Sequence, residues 1–257
     1  MTSVFIGIDV ACAKQKRLPI CFARPMDSRL EPLGLPKGVA QLVPRGPGNI
    51  EVRRSAPFAE LAASTVAAIK AVCIEMGWSI ARIAIDAPAA SAQTGKRRCE
   101  NELIAAGLSI FKTPSDDEWS HALAKCRAYL DGGGTLAHLP DANRIWMLYG
   151  FELFSALRSA GFDVIEIYPF AIVHALLPVH PHKSTAKGYG LQLDVIAERT
   201  GWTSSALEAR LRGAVAGTRH DRLDAFMAAW VASLPPIARR AYGNAQNEDD
   251  AIWVPVN

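Results

Sequence analysis

The stretch VFIGIDV, residues 4–10, decides how this chain is read. It is a short apolar run, rich in β-branched side chains and closed by an acid, Asp9. That is the pattern of a buried strand. The device recurs. IARIAID (80–86) ends in Asp86, and DVIEIYP (163–169) carries Glu166 near its end. A lone carboxylate in an apolar strand is costly to bury unless it is paired, protonated or metal-bound. Three in one chain ask for a common cause. The carboxyl ends of parallel strands face one crevice in open α/β sheets, so the three acids are expected to meet there.

A fourth acid comes from HDRLDAFMAAWVAS (220–233), which reads as a helix. Asp221 and Asp224 are three residues apart and share one helix face near its start. A helix laid across the sheet would aim Asp224 at the same crevice. Asp221 alone reads as an N-terminal cap, and in a shared site as a further metal ligand.

Outward from these anchors, RLPICFAR (17–24) is a second strand candidate, weakened by Pro19. A third is expected within 39–43 or 49–54, beyond a Pro/Gly-rich loop that spans 25–49. No helix separates these first strands, so they should be antiparallel. Residues 57–76 are Ala-rich with helical spacing, bounded by Pro57 and Gly77. Helices are expected at 95–107, 116–130 and 141–160, with a short strand at 108–114. After the Glu166 strand come helices at 170–177, 189–200, 203–213 and from His220 to Ser233. The tail 243–251 reads as loose, with IWVPV (252–256) as an edge strand. The order β-β-β-α-β-(insert)-β-α implies an α/β fold. Its mixed five-stranded sheet has helices on both faces and a helical insertion, about 95–161, between the last two core strands. One domain would span 1–235 and a C-terminal tail 236–257.

The 257 residues are half apolar, enough for a sizeable core. With 28 basic and 25 acidic residues the net charge is +3, too mild to demand a nucleic-acid partner by itself. Five Cys, an odd number without CxxC spacing, argue against a disulfide framework and a zinc site, and point to thiols in a reducing cytoplasm. No run approaches the ~20 apolar residues of a membrane span. GxSxG, Walker A, GxGxxG and HExxH are all absent.

Carboxylates without paired His or Cys favour Mg²⁺ or Mn²⁺. Two such ions activate water and stabilise the leaving oxygen in phosphodiester cleavage, with no protein nucleophile. Asp9, Asp86, Glu166 and Asp224 are therefore the candidate catalytic and metal-binding residues, with Asp9 as the bridging ligand. Two basic clusters follow the acidic strands: Arg97 and Arg98 beside Lys96, and Lys183 and Lys187 beside His182. Arg97, Arg98, Lys183 and Lys187 are the candidate substrate contacts, since Arg suits bidentate phosphate binding and Lys a point charge. A solvated charged surface explains such runs equally well.

The motifs GIDVA, AIDAP, RRCENEL, VIEIYP, HKSTAKGYG and HDRLDAFMAAW, in this order, resemble domain of unknown function family number 429, bacterial and archaeal proteins described as RNase H-like nucleases. The resemblance runs from Phe5 to about Ala232. It implies an RNase H-like fold with acids at Asp9, Asp86, Glu166 and Asp224. Its Arg-x-Cys-acid stretch falls on Arg97, Cys99 and Glu100, and its Lys-rich segment on Lys183, Lys187 and Gly188. Two features depart from the pattern: the 25–49 loop, and Gln192 where an Arg is expected. The function implied is a metal-dependent nuclease acting on DNA or RNA. A non-catalytic nucleic-acid- or protein-binding module with the same fold is the alternative.

Overall fold

A computed structural model describes residues 1–257. The sheet is built around VFIGIDV, which lies in β1 (Thr2–Asp9). Antiparallel to β1 runs β2 (Ile20–Met26), which begins just after Pro19, and β3 (Arg29–Pro32) pairs antiparallel with β2. The β2–β3 turn is made by Asp27 and Ser28, with Asp27 at φ 54. The third strand is therefore earlier than expected. Residues 39–43 and 49–54 hold instead the short helix α1 (Lys37–Ala40) and a 3₁₀ turn at Asn49–Arg53. An Asp that tolerates the left-handed conformation closed the hairpin inside a stretch that reads as loop.

Helix α2 (Ala59–Met76) leads to β4 (Trp78–Asp86), which is parallel to β1. Gly77 ends α2 at φ 66, as its position implies. The insertion holds α3 (Arg98–Ala105), α4 (Asp116–Asp131) and α5 (Trp146–Ser159). Residues 108–114 form no strand, and α5 begins later than expected. Then β5 (Val164–Ile167) pairs parallel with β4. Four helices follow: α6 (Pro169–Leu176), α7 (Ala186–Arg199), α8 (Ser204–Ala214) and α9 (Arg219–Ser233). The chain closes with β6 (Arg239–Gly243) and β7 (Ala251–Pro255).

The sheet has seven strands, ordered β3-β2-β1-β4-β5-β7-β6, not five. The extra two come from the stretch expected to be a loose tail. IWVPV is no edge strand: β7 is sandwiched between β5 and β6. The unbroken apolar run 251–255 gives it two faces to bury, and Ala251, Ile252 and Val254 are buried.

Helices cover both faces of the sheet, as expected. On one side α2 and α5 pack on Ile6, Ile8, Ile83 and Ile85. On the other, α6 to α9 form a core with Ala84, Ile165 and Ile167. All five cysteines are free, and four are buried. No helix is long and apolar enough to cross a membrane.

Helix α9 lies directly on β1. A Cβ on Gly7 would fall 1.9 Å from the Ala225 carbonyl oxygen and 2.2 Å from the Ala229 nitrogen. Glycine in β1, facing the small residues Ala225, Ala228 and Ala229, lets helix and strand backbones touch. This contact sets the depth at which the start of α9 meets the strand ends.

Candidate active site

Successive strand residues alternate between faces, so Asp9 lies on the side of Gly7 and Asp86 on the side of Ala84. Both are on the α9 side of the sheet. Parallel pairing places Asp9 directly beside Asp86 in register, at the C-terminal ends of β1 and β4. Asp224 enters from above. It precedes Ala225, which is pressed against Gly7, and it is 4% exposed. The start of α9 is held by a reciprocal cap. Thr218 Oγ1 accepts from the Asp221 N–H, and Asp221 Oδ2 from the Thr218 N–H at 2.8 Å. Asp221 thus serves as the cap, although its charge still bears on Asp9.

The connection from α6 to α7 supplies a cation. Lys183 Nζ donates to Asp224 Oδ2. Its loop is clamped from beneath: a Cβ on Gly188 would fall 2.1 Å from the His182 carbonyl oxygen. Thr185 caps α7 by accepting from Gly188 N–H. The Lys-rich segment with its following Gly is therefore one device, a lysine held out by a loop resting on a glycine.

One ammonium does not balance the cluster. Burial, followed by Asp224, Asp86 and Asp221, holds the Asp9 carboxyl well above the usual carboxylate range, against the pull of Lys183. Burial and Asp224 push Asp86 up to about 8. Burial raises Asp224 too, opposed by Lys183. For Lys183 itself burial favours the neutral amine, but Asp224 and Asp86 outweigh it and raise its pKa. Asp224 Oδ1 is buried without any hydrogen-bond partner. An orphaned carboxylate oxygen in a group of mutually repelling acids is the environment a hard cation relieves.

Glu166 has other partners than this group, although its charge also raises Asp86. Its register partner is Ile85, which packs in the core on the opposite face from α9. Its two oxygens take a bidentate bond from Arg97, 2.7 Å each, and Oε2 also accepts from Ala89 N–H at 2.8 Å. Three of its lone-pair sites are thereby taken, and the carboxylate is tied to Arg97 and Ala89 rather than to the three aspartates. The strand-end pattern located Glu166 correctly along the chain, but a shift of one residue turns a side chain to the other face.

Arg97 is buried with it. It is 8% exposed and joins Glu166, Glu100 and the Asp249 carbonyl, so it is no surface phosphate contact. Arg98 is exposed and pairs with Glu102 on its own helix. Lys187 is exposed on the first turn of α7, and only Lys183 of the four basic candidates stands at the carboxylates.

Residues 34–245 match the model of a family described as Protein of unknown function (DUF429). The chain belongs to this family. The match includes Asp86, Lys183 and Asp224 and begins beyond β1, so Asp9 lies outside it. No curated protein and no solved structure matches the chain.

In this DUF429 protein no group of three or more Asp, Glu, His or Cys side chains is arranged to hold an ion as it stands. Lys183 occupies the charge-balancing role among the carboxylates instead. The donor chemistry nonetheless fits Mg²⁺ or Mn²⁺: oxygen only, and one oxygen already unpartnered. Asp9, Asp86 and Asp224 are the residues that would hold it.

Sequence reading missed Gly7 and the neighbouring cavity. A space of about 240 Å³ opens beside Asp86 and Lys183 and is walled by Phe111, Trp146 and Tyr168. These rings come from three distant segments whose meeting has no local signal. The glycine of GIDVA was the available signal for the close helix approach.

Proposed function

We propose that this chain is a metal-dependent nuclease of RNase H-like fold that hydrolyses nucleic-acid phosphodiester bonds with Asp9, Asp86 and Asp224. The observation that carries the reading is the convergence of these three aspartates, distant in sequence, on one rim of the sheet with Asp224 Oδ1 unpartnered. The succession of three antiparallel strands, a helix and a parallel β4, with acids on β1, β4 and the last helix, is what the family resemblance implies for that fold.

A divalent cation held there would activate water and stabilise the leaving oxygen. The chain's own contributions follow from the geometry. Asp9 and Asp86 sit on paired strands, so their spacing is set by the sheet. Asp224 sits on a helix whose position is set by Gly7. Lys183 offers a positive charge at the mouth of the site, where a phosphate would otherwise meet only carboxylates. Glu166 and Arg97 anchor the helical insertion and, as a closed ion pair, line the cavity beside the three aspartates.

Cleavage assays with Mg²⁺, Mn²⁺ and EDTA, on single-stranded, duplex and hybrid substrates, test the reading. Metal-dependent cutting that is lost in Asp9→Asn supports it. A wild type that cuts nothing and shows no Mn²⁺-dependent rise in melting temperature would make the chain a non-catalytic module.

A further inference from the structure

Beside the carboxylates lies the 240 Å³ cavity, and Asp86 and Lys183 line it as well as the acidic cluster. The two spaces are therefore continuous. Ile110, Phe111, Trp146 and Tyr168 give the cavity an aromatic and apolar wall, and the paired Arg97 and Glu166 line it too. The polar ends of two of these rings are already committed. Tyr168 OH donates to the Ser109 carbonyl at 2.8 Å, and Trp146 Nε1 donates to the Asn143 carbonyl at 2.9 Å. What they offer an occupant is ring surface. Phe111, on the connection between α3 and α4, is 56% exposed and contributes nothing to either core. An exposed phenyl at the lip of an aromatic cavity, with a lysine on the other side, is a stacking platform joined to a phosphate contact.

We propose that this cavity receives one unstacked nucleobase of a single-stranded nucleic acid, with the adjoining phosphate beside Lys183 at the mouth of the carboxylate cluster. The proposal rests on the nuclease reading and narrows it to a substrate class. A base is flat and apolar on its faces, and every base presents such a face, so an aromatic wall binds it without reading sequence. The space is smaller than the clefts that enclose drug-sized ligands, which suits a single base. A base inside a duplex could enter only by leaving its stack, at an energetic cost that a free strand has already met.

The test is binding of a labelled single-stranded oligonucleotide, as DNA and as RNA, and of the matching duplexes, measured by fluorescence anisotropy in EDTA. Wild type, Phe111→Ala and Phe111→Tyr are compared, and cleavage in Mn²⁺ is followed in parallel. Phe111 is outside the cores, so its replacement leaves the fold intact. The expected result is a preference for single strands, weakened roughly 5- to 100-fold in Phe111→Ala and largely restored in Phe111→Tyr. Duplex binding should not change. Single-strand affinity indifferent to Phe111→Ala, or a preference for duplex, overturns the proposal. If Mn²⁺-dependent cleavage persists in that case, the nuclease reading stands alone. Phe111-dependent binding with no cleavage in any metal keeps the base pocket and removes the nuclease. A protein that neither binds nor cuts any of the four removes both.

Discussion

Gly7 and Ala225 stand so close that a methyl group on the first would collide with the carbonyl oxygen of the second, at 1.9 Å. The neighbouring backbone atoms belong to a buried strand and a buried helix, and neither can give way cheaply. Gly7→Ala should therefore destabilise the protein by about 1–3 kcal/mol or more, the range for overpacking a core. It should also lift Asp224 from Asp9 and Asp86. Gly190→Ala is the control. A Cβ there meets nothing within 4 Å, and an interior helical glycine replaced by alanine should gain roughly 0.5–1 kcal/mol. Urea unfolding of the two variants checks the contrast in sign, and a Gly7→Ala protein as stable as wild type would contradict it.

Mn²⁺ should raise the melting temperature of the wild type, by an amount equivalent to about 2.7 kcal/mol at a hundredfold excess over Kd. Asp9→Asn and Asp224→Asn should lose that response. Glu166→Gln should keep it, because Glu166 projects from the other face of the sheet than Asp9 and Asp86 and is engaged by Arg97. Thermal scans with and without Mn²⁺ separate the two groups of acids. Loss of the response in Glu166→Gln would return that residue to the site.

Arg97→Ala should cost about 3–5 kcal/mol, the penalty for leaving buried charges without their partner. Glu166 and Glu100 are 3% and 0% exposed and would be the carboxylates stranded. The measurement is the denaturation midpoint. Arg98→Ala, which removes only an exposed pair with Glu102, should stay within roughly 1 kcal/mol of wild type.

The metal-free protein should lose stability as pH rises between about 4 and 8. Asp9 and Asp86 hold protons more tightly folded than unfolded, and Asp86 does so up to about 8. In this window the native state binds more protons than the unfolded chain, so raising the pH favours unfolding. Below the unfolded carboxylate range the contribution is fully present. Asp86→Asn should flatten this slope, and so should saturating Mn²⁺ in the wild type. Unfolding curves collected across this range, with EDTA, read the slope directly; a rise in stability toward pH 8 that persists in Asp86→Asn would contradict the prediction.

Much of this architecture is legible in the sequence alone. The acid-ended runs at 4–10 and 80–86 became the neighbouring strands β1 and β4, because a buried parallel strand needs an unbroken apolar stretch and little else. The long helices announced themselves by period and by glycine stops such as Gly77. Three things were hidden. The β2–β3 hairpin turns on Asp27, inside a proline-rich segment that reads as loop. The last two strands were masked by the polar stretch 244–250, which only links them. The face of Glu166 depends on a register that no local pattern encodes. The candidate site was legible as to which residues carry charge, and less so as to which of them meet. Asp9, Asp86 and Lys183 could be named from the sequence, whereas the claim of Arg97 on Glu166 is a matter of tertiary packing.

The pairing of β1 with β4, beneath α9, joins the beginning of the chain to its middle and to residues 219–233. Contacts of such long range are made late, after most loops have closed. Until then the three aspartates belong to separate parts of a fluctuating coil, and no partly built form offers an ion a seat. Divalent cations should consequently slow unfolding while leaving the refolding rate nearly untouched, because they grip something the transition state has not yet assembled.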